Sequence, residues 1–356
     1  MENNNDLPKF DQRLNSLDPH IINMLSEIDI AKGEIKGAIS ASPHIIDSLH
    51  KTVLITSAGA STRIEGSNLS DEEVAKIMDK ISCSKFNDRD SQEVQGYLET
   101  LQNIFENPIE LSLREGTIKS LHNQLLKYSD KDKIHKGEYK KNENIVGIVN
   151  EKGEIKRILF NTTPAYLVKK EMDDLVEWAN NAFENKRFHN LLIIANFIIQ
   201  FLKIHPFEDG NGRASRILTN LLLLQTEYGF VKYVSHEKII EERKKEYYIA
   251  LRTSQETFNT EKENIKTWLN FFLSVIKGQG EKAVAILKQD NIENLISKKQ
   301  SLVLDYIKHN PEISLSAIVE KTNVARGTVR QALDRLLKLN KIKRIGQGRA
   351  TRYISI

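Results

Sequence analysis

At 356 residues the chain is long enough for two or three domains and at least one large core. Aromatic content is 7%, charged content 28%, and 52 basic residues nearly balance 48 acidic ones, which argues against gross disorder. The polar opening MENNNDLPKF does not read as a secretory signal, the apolar stretch at 191–204 is interrupted by Asn196, Gln200 and Lys203 and is too short to span a bilayer, and the single cysteine, Cys83, excludes an internal disulfide and reads as an ordinary thiol. A cytoplasmic protein without membrane attachment is expected.

Most of the chain reads as helix. Residues 18–48 carry apolar positions at helical spacing. A helix over 70–81 opens with Ser70 as cap and Asp71, Glu72 and Glu73 in its first turn. Amphipathic helices are expected at 91–107 and 113–128. The period then changes: NIVGIVNEKGEIKRILF (144–160) has two β-branched runs around Asn150-Glu151-Lys152-Gly153, a β-hairpin. Pro164 is a good first residue for a helix through Phe183. Helices return at 189–204, 212–228, 237–258 and 261–276, and KGQGEK (277–282) is the best boundary before the C-terminal part. There is no internal repeat.

Charge is unevenly spread. Residues 298–356 hold 13 Lys and Arg against 4 Asp and Glu, a net of +9, which leaves 39 basic and 44 acidic residues, a net of −5, in 1–297. A basic tail on an acidic body hints at nucleic acid.

The segment HPFEDGNGRASR (205–216) interrupts two strongly apolar helices. Pro206 stops the first helix. Gly210, Asn211 and Gly212 tolerate unusual backbone angles and lead into the second, whose free N–H groups and dipole make an anion site. Arg213 and Arg216, three apart, project on one side of that helix near its start, with Asn220 continuing the face. Two guanidiniums and a nest of amides suit several phosphates, and Asp209 adds a hard carboxylate for Mg2+. His205 is the group suited to take a proton near neutral pH. Phe207 should anchor the loop in the core and Glu208 should be solvated. GNG alone would mean a turn, and a lone His before Pro is usually structural. The combination reads as a nucleoside-triphosphate site with a base at its edge.

HPFEDGNGRASR matches the Fic-domain motif HPFx[DE]GNGRxxR at every specified position. The resemblance implies a mainly α protein: a Fic-type helical core with a β-hairpin flap. Proteins similar to this transfer AMP from ATP to a hydroxyl side chain of a target protein. By that resemblance His205 is the catalytic base and Asp209 the Mg2+ ligand, while Gly210, Asn211, Gly212, Arg213 and Arg216 bind ATP. FNTTPAYLVKKEMDDLVEW resembles the family's flap and following helix, with residues 158–163, ILFNTT, as the edge on which a target would dock by main-chain pairing. RKKEYYIAL (243–251) resembles the segment whose tyrosines line the adenosine pocket, so Tyr247 and Tyr248 are candidate contacts. Gln255 stands near where many relatives place an asparagine on the adenine. Doc-type relatives, which transfer phosphate, commonly carry lysine where this chain has Gly212, which favours AMP transfer.

Upstream, Ser61-Thr62-Arg63-Ile64-Glu65-Gly66 matches [ST]xxxE[GN], the inhibitory-helix motif of one Fic subgroup. A short helix near 57–66 ending at Gly66 is expected. In the family the glutamate pairs with the second motif arginine, here Arg216, and denies it to the γ-phosphate. Glu65 could instead orient a water for removing AMP.

The C-terminal order of helix (301–310), helix capped by Ser314 (314–322), turn, helix from near Thr328, and two short strands around Gly346-Gln347-Gly348 is that of a winged helix-turn-helix. It is similar to the small winged domain attached to many Fic proteins. Arg326, Thr328, Arg330, Gln331 and Arg335 lie at or near the recognition helix, and Arg344, Arg349 and Arg352 on the wing. Duplex DNA through 298–356 is the expected partner, with protein contacts the alternative. The expected division is 1–112 for an N-terminal helical region, 113–278 for the Fic core, 279–297 for a linker helix and 298–356 for the winged unit. A homodimer is left open, as is the reading of a DNA-binding regulator whose Fic core senses nucleotide.

Overall fold

The computed structural model describes residues 9–15, 17–41, 46–80, 86, 88–149, 155–295, 297–310, 312–338, 341–346, 348 and 351–355. Cys83, Arg349, Gln347 and the expected hairpin turn at 150–153 lie outside them. The chain divides into two compact units, Met1–Val284 and Ala285–Ile356. Among the described residues no helix is long and apolar enough to cross a membrane.

In the larger unit, α1 (Lys9–Gln12) is followed by α2 (Pro19–Ala41), whose first residue has no N–H to leave unpaired. The next helix, α3, runs Ile46–Ile64. The helix expected at 57–66 is therefore only the end of a 19-residue helix. Small residues explain why it was hard to read: Ser57, Ala58, Ala60, Ser61 and Thr62 are buried without giving a strong apolar stripe. Gly66, at φ +109°, closes it, and Ser67 N–H returns to the Thr62 carbonyl.

The helix α4 (Asp71–Lys80) opens with a capping box: Ser70 Oγ accepts the Glu73 N–H at 3.3 Å while Glu73 Oε2 accepts the Ser70 N–H at 2.8 Å. Asp88 caps α5 (Arg89–Glu106), which packs on α3 and on α6 (Glu115–Leu125). A Cβ on Gly96 would sit 2.0 Å from the Leu125 carbonyl oxygen, so glycine is what permits the α5–α6 approach.

The hairpin forms from β1 (Ile145–Val149) and β2 (Ile155–Asn161), antiparallel, running from Ile145↔Asn161 to Val149↔Ile155 with two irregularities in register. A short 3-10 turn at Ala165–Leu167 leads into α7 (Val168–Glu184). The next helix, α8 (Asn190–Ile204), is buried on nearly every side because it packs against both α7 and α9 (Asn211–Gln225). That burial accounts for its almost unbroken apolar run.

The helix expected at 237–258 is two, α10 (His236–Glu242) and α11 (Lys244–Gln255), broken where Arg243 leaves helical angles at φ −114°, ψ 28°. The expected boundary KGQGEK ends two residues before the division at Val284/Ala285, but it forms no loop there. It lies inside α12 (Lys266–Leu295). There Gly280 lets Ala31 approach, a Cβ meeting it at 3.2 Å, and Gln279 is buried with Nε2 donating to the Val234 carbonyl. These residues serve helix packing, which overrides their turn-forming tendency.

In the smaller unit, Ser297 and Gln300 form a capping box on α13 (Lys298–His309). Ser314 caps α14 (Leu315–Thr322), and Asn323 in the left-handed region turns the chain toward α15 (Arg326–Lys338), which starts two residues before the expected Thr328. The wing is β3 (Ile342–Ile345) paired antiparallel with β4 (Arg352–Ser355). Val303, Ile307, Ile318, Val329 and Leu336 close a core of its own.

Candidate active site

The loop between α8 and α9 is held from within. His205 takes φ +53°, a conformation that ends α8 while its N–H still donates to the Phe201 carbonyl at 2.9 Å. Gly210, at φ +78°, caps α9. Asn211 is buried, and its side chain bonds Phe207 twice: Oδ1 accepts the Phe207 N–H at 3.0 Å and Nδ2 donates to the Phe207 carbonyl at 2.8 Å. Phe207 is fully buried, as expected, with its ring stacked on His122 at 3.6 Å between centroids.

His122, which sequence reasoning missed, buttresses the loop. Its Nδ1 accepts the Gly137 N–H at 2.9 Å, which leaves Nε2–H to donate to the Asp209 carbonyl at 2.9 Å. Burial lowers its pKa to about 4 and keeps the ring neutral. The segment 139–144 was also missed. It runs along the loop, Glu208 Oε1 accepting the N–H groups of Lys141 at 3.3 Å and Asn142 at 3.4 Å. Glu208 is thus half-buried and engaged, where free solvation was expected.

His205 is also half-buried. Its Nδ1 lies 3.4 Å from the Leu202 carbonyl, which can only accept, so that nitrogen carries the proton and Nε2 keeps its lone pair. Burial above all lowers its pKa to about 4; Lys140 also lowers it, while the Leu202 carbonyl, Glu65 and Asp209 act the other way. The imidazole is therefore neutral across the physiological range.

Both motif arginines are buried and paired, each with carboxylates that the other does not share. Arg213 meets Glu93 at 2.9 Å and Asp209 at 3.4 Å. Arg216 donates through Nε to Ser61 Oγ at 2.8 Å, and through Nη2 to the Ser61 carbonyl at 3.0 Å and to Glu65 Oε1 at 2.7 Å. The end of α3 is thereby brought onto the start of α9. A Cβ on Gly212 would stand only 2.2 Å from Glu65 Oε1, so the carboxylate lies directly over the first turn of α9. Asn220 turns away from the loop to Glu237, a wholly buried carboxylate that also accepts from the Tyr97 hydroxyl.

Asp209 presents one carboxylate. Burial alone would raise its pKa, but Arg213, the Gly210 N–H, Lys131 and Arg89 outweigh it and hold the group ionised below the usual range. Its Oδ2 faces Arg89 Nη2 at 3.6 Å and Lys131 Nζ at 3.8 Å, two cations that sequence reasoning did not single out. Among the described residues no group of three or more His, Cys, Asp or Glu could hold a metal. An ion here would have Asp209 as its protein ligand and take its remaining oxygens from elsewhere, a donor set suited to Mg2+ with phosphates.

The two tyrosines separate. Tyr247 is 3% exposed, packed on Trp268 and Phe271 beneath Arg216, with no ring face open to a ligand, while Tyr248 keeps 40% of its surface exposed. Gln255 is buried and donates to the Ile199 carbonyl at 3.4 Å.

Residues 112–223 match the Fic/DOC family, a span that includes His122, segment 139–144, the hairpin and the whole loop. This chain carries a Fic domain. Residues 296–343 match the winged helix-turn-helix DNA-binding family, in line with the fold of the C-terminal unit. Among curated proteins, a probable protein adenylyltransferase of Aquifex aeolicus (strain VF5) is 33% identical over 97 residues, 27% of each chain. A Fido domain-containing protein of Dictyostelium discoideum is 41% identical over 64 residues, 18% of this chain and 43% of the other. The chain thus spans less than half the length of these curated relatives. Solved structures share the fold. A Fic family protein from Desulfovibrio desulfuricans G20 aligns over 96% of this chain and 97% of its own, with TM-score 0.63 at 22% identity. A Fic-domain signaling protein from Bacteroides thetaiotaomicron VPI-5482 aligns over 74% of this chain and 97% of its own, with TM-score 0.58 at 21% identity. The Fic domain therefore places His205, Asp209, Arg213 and Arg216 around one loop, and α3, which precedes the matched span, supplies Ser61 and Glu65.

Proposed function

We propose that this protein transfers AMP from ATP to a hydroxyl side chain of a target protein, and that Glu65 restrains it. The observation that carries the reading is the Glu65 carboxylate at 2.7 Å from Arg216, over Gly212 at the start of α9. An anion already sits where a helix N-terminus and a guanidinium suit a phosphate. A terminal phosphate and Glu65 would compete for that position.

In the active state the hydroxyl proton goes to Nε2 of His205 and the hydroxyl oxygen attacks the α-phosphorus. The bond from that phosphorus to its bridging oxygen breaks, and pyrophosphate leaves. The amides at the start of α9 and the two arginines hold the phosphates, so the rate gain comes from positioning and a preorganised field. Asp209 would hold Mg2+, which would neutralise phosphate charge. Tyr248 is the better placed of the two tyrosines to meet a nucleoside, and the β2 edge with the following residues, 158–163, would seat an extended target segment.

The test compares wild type, Glu65→Gly and Glu65→Gly/His205→Ala with labelled ATP. Label should appear on protein in the single variant well above wild type and vanish in the double. Label that survives loss of His205 would remove the base from this scheme and favour a core that only senses nucleotide.

For the winged unit we infer duplex DNA as the partner. Arg326, Arg330 and Arg344, all exposed, line one concave face of about 460 Å3 with Ser314, Thr351 and Tyr353. Arg330→Ala should weaken DNA binding and reduce its salt slope by about 1. A wild-type protein that shifts no DNA at low salt contradicts this and favours protein contacts.

A further inference from the structure

The buried amine of Lys140 lies outside the loop motif and outside the helical periodicity. The residue is 3% exposed. Its Nζ donates to Asn144 Oδ1 at 2.7 Å, to Thr162 Oγ1 at 2.7 Å and to the Ile204 carbonyl at 3.4 Å. Its own N–H donates to the Pro206 carbonyl at 2.8 Å. One residue therefore bonds the backbone on both sides of His205.

The other two acceptors are the roots of the hairpin. Asn144 immediately precedes β1 and Thr162 immediately follows β2. They also bond each other, Thr162 Oγ1 lying 2.6 Å from the Asn144 carbonyl, and Asn144 Nδ2 donates to the Phe207 carbonyl at 3.0 Å. A packing role alone would be served by an apolar side chain of this length. Desolvating an amine is costly unless it finds acceptors, and here it finds three from two separate structures.

We propose that Lys140 is a positioning residue that pins both roots of the β1–β2 hairpin to the backbone flanking His205, and so fixes where a segment seated on the hairpin edge meets the imidazole. This rests on the reading of the hairpin as the docking edge. A base must lie within hydrogen-bond reach of the proton it takes, so a hairpin free to swing would disperse the hydroxyl away from Nε2. The ammonium also faces His205 and disfavours a charged ring. The carboxylates that face Lys140 are Glu143, Glu208 and Glu171, yet burial prevails and lowers its pKa to about 8. Above that pH one of the three donated bonds is lost.

The test uses the full chain carrying Glu65→Gly, alone and with Lys140→Met or Lys140→Arg. Two readouts need neither nucleotide nor target: amide exchange across 155–161, and the titration of His205 followed with labelled histidine and assigned through His205→Ala. Lys140→Met should speed exchange in β2 by about tenfold or more, leave exchange in α9 unchanged, and move the His205 titration upward. Lys140→Arg should restore the slow exchange and the low titration. In auto-modification with labelled ATP, Lys140→Met should lower the rate without changing ATP affinity. The alkaline fall near pH 8 should be absent in Lys140→Arg. Should Lys140→Met fail to fold, Thr162→Val removes one root alone and should give the same exchange change. Unaltered β2 exchange and an unmoved His205 titration would overturn the proposal. A parent that transfers no AMP would instead sink the proposed activity and leave the exchange and titration results to decide the role of Lys140.

Discussion

Gly212 and Glu65 share a space that only one of them can fill. A single carbon added at Gly212 would come within 2.2 Å of Glu65 Oε1 and 3.1 Å of its carboxyl carbon. The glycine in the first turn of α9 therefore leaves the room that the Glu65 carboxylate occupies.

A double-mutant cycle reads this directly. Gly212→Ala should lower stability by about 1–3 kcal/mol, because the methyl group must push Glu65 off Arg216. In the Glu65→Gly background the same substitution should cost much less, giving a coupling in the range of roughly 0.5–3 kcal/mol. Urea unfolding of the four proteins measures it. Additive costs would mean that the two residues do not compete for one place.

The end of α3 is latched at a second point. Arg63 bonds Glu241 at 2.5 Å and 3.2 Å, pairs with Asp71 at 2.9 Å and donates to the Leu69 carbonyl at 2.8 Å. The Arg63–Glu241 pair is partly exposed, so its loss should shift the docking equilibrium of α3 by up to about 1 kcal/mol, on the order of fivefold. Glu241→Gln should raise auto-modification by that factor, less than Glu65→Gly does, since Glu65 itself remains. Activity that stays at the wild-type level would show that this pair does not help to hold the end of α3.

The loop was legible because its chemistry is contiguous, and Glu65 because it falls in a short motif of its own. His205, Asp209, Arg213 and Arg216 fall within twelve residues, and the structure places all four on one loop and helix start. The supports were not legible. His122 meets Asp209 from 87 residues away and Lys140 meets Ile204 from 64 away, with no local pattern that marks either. Tertiary packing also overrode local signals: Gly278 and Gly280 mark a boundary in the sequence but lie inside α12, and nothing near Arg243 announced the break between α10 and α11.

The imidazoles of His122 and His205 give stability a pH dependence. His122 and His205 have pKa values near 4 in the folded chain, below the ordinary 6.5 that they regain on unfolding. Their contribution is complete above about pH 6.5 and is lost as pH falls through about 4, because the unfolded chain then binds protons that the folded one refuses. The urea midpoint should decline across that window, and His122→Gln should flatten part of the decline. A midpoint that holds steady from pH 6.5 to 4 would mean that these rings are not kept neutral by burial.

The position of the label decides between transfer of AMP and transfer of phosphate. The Glu65→Gly protein is incubated with magnesium and ATP labelled at either the α- or the γ-phosphorus, and protein-bound label is counted. Label should come from the α-position and not from the γ-position, since the hydroxyl attacks the α-phosphorus and pyrophosphate departs. Label from the γ-position alone, or from neither, would contradict AMP transfer.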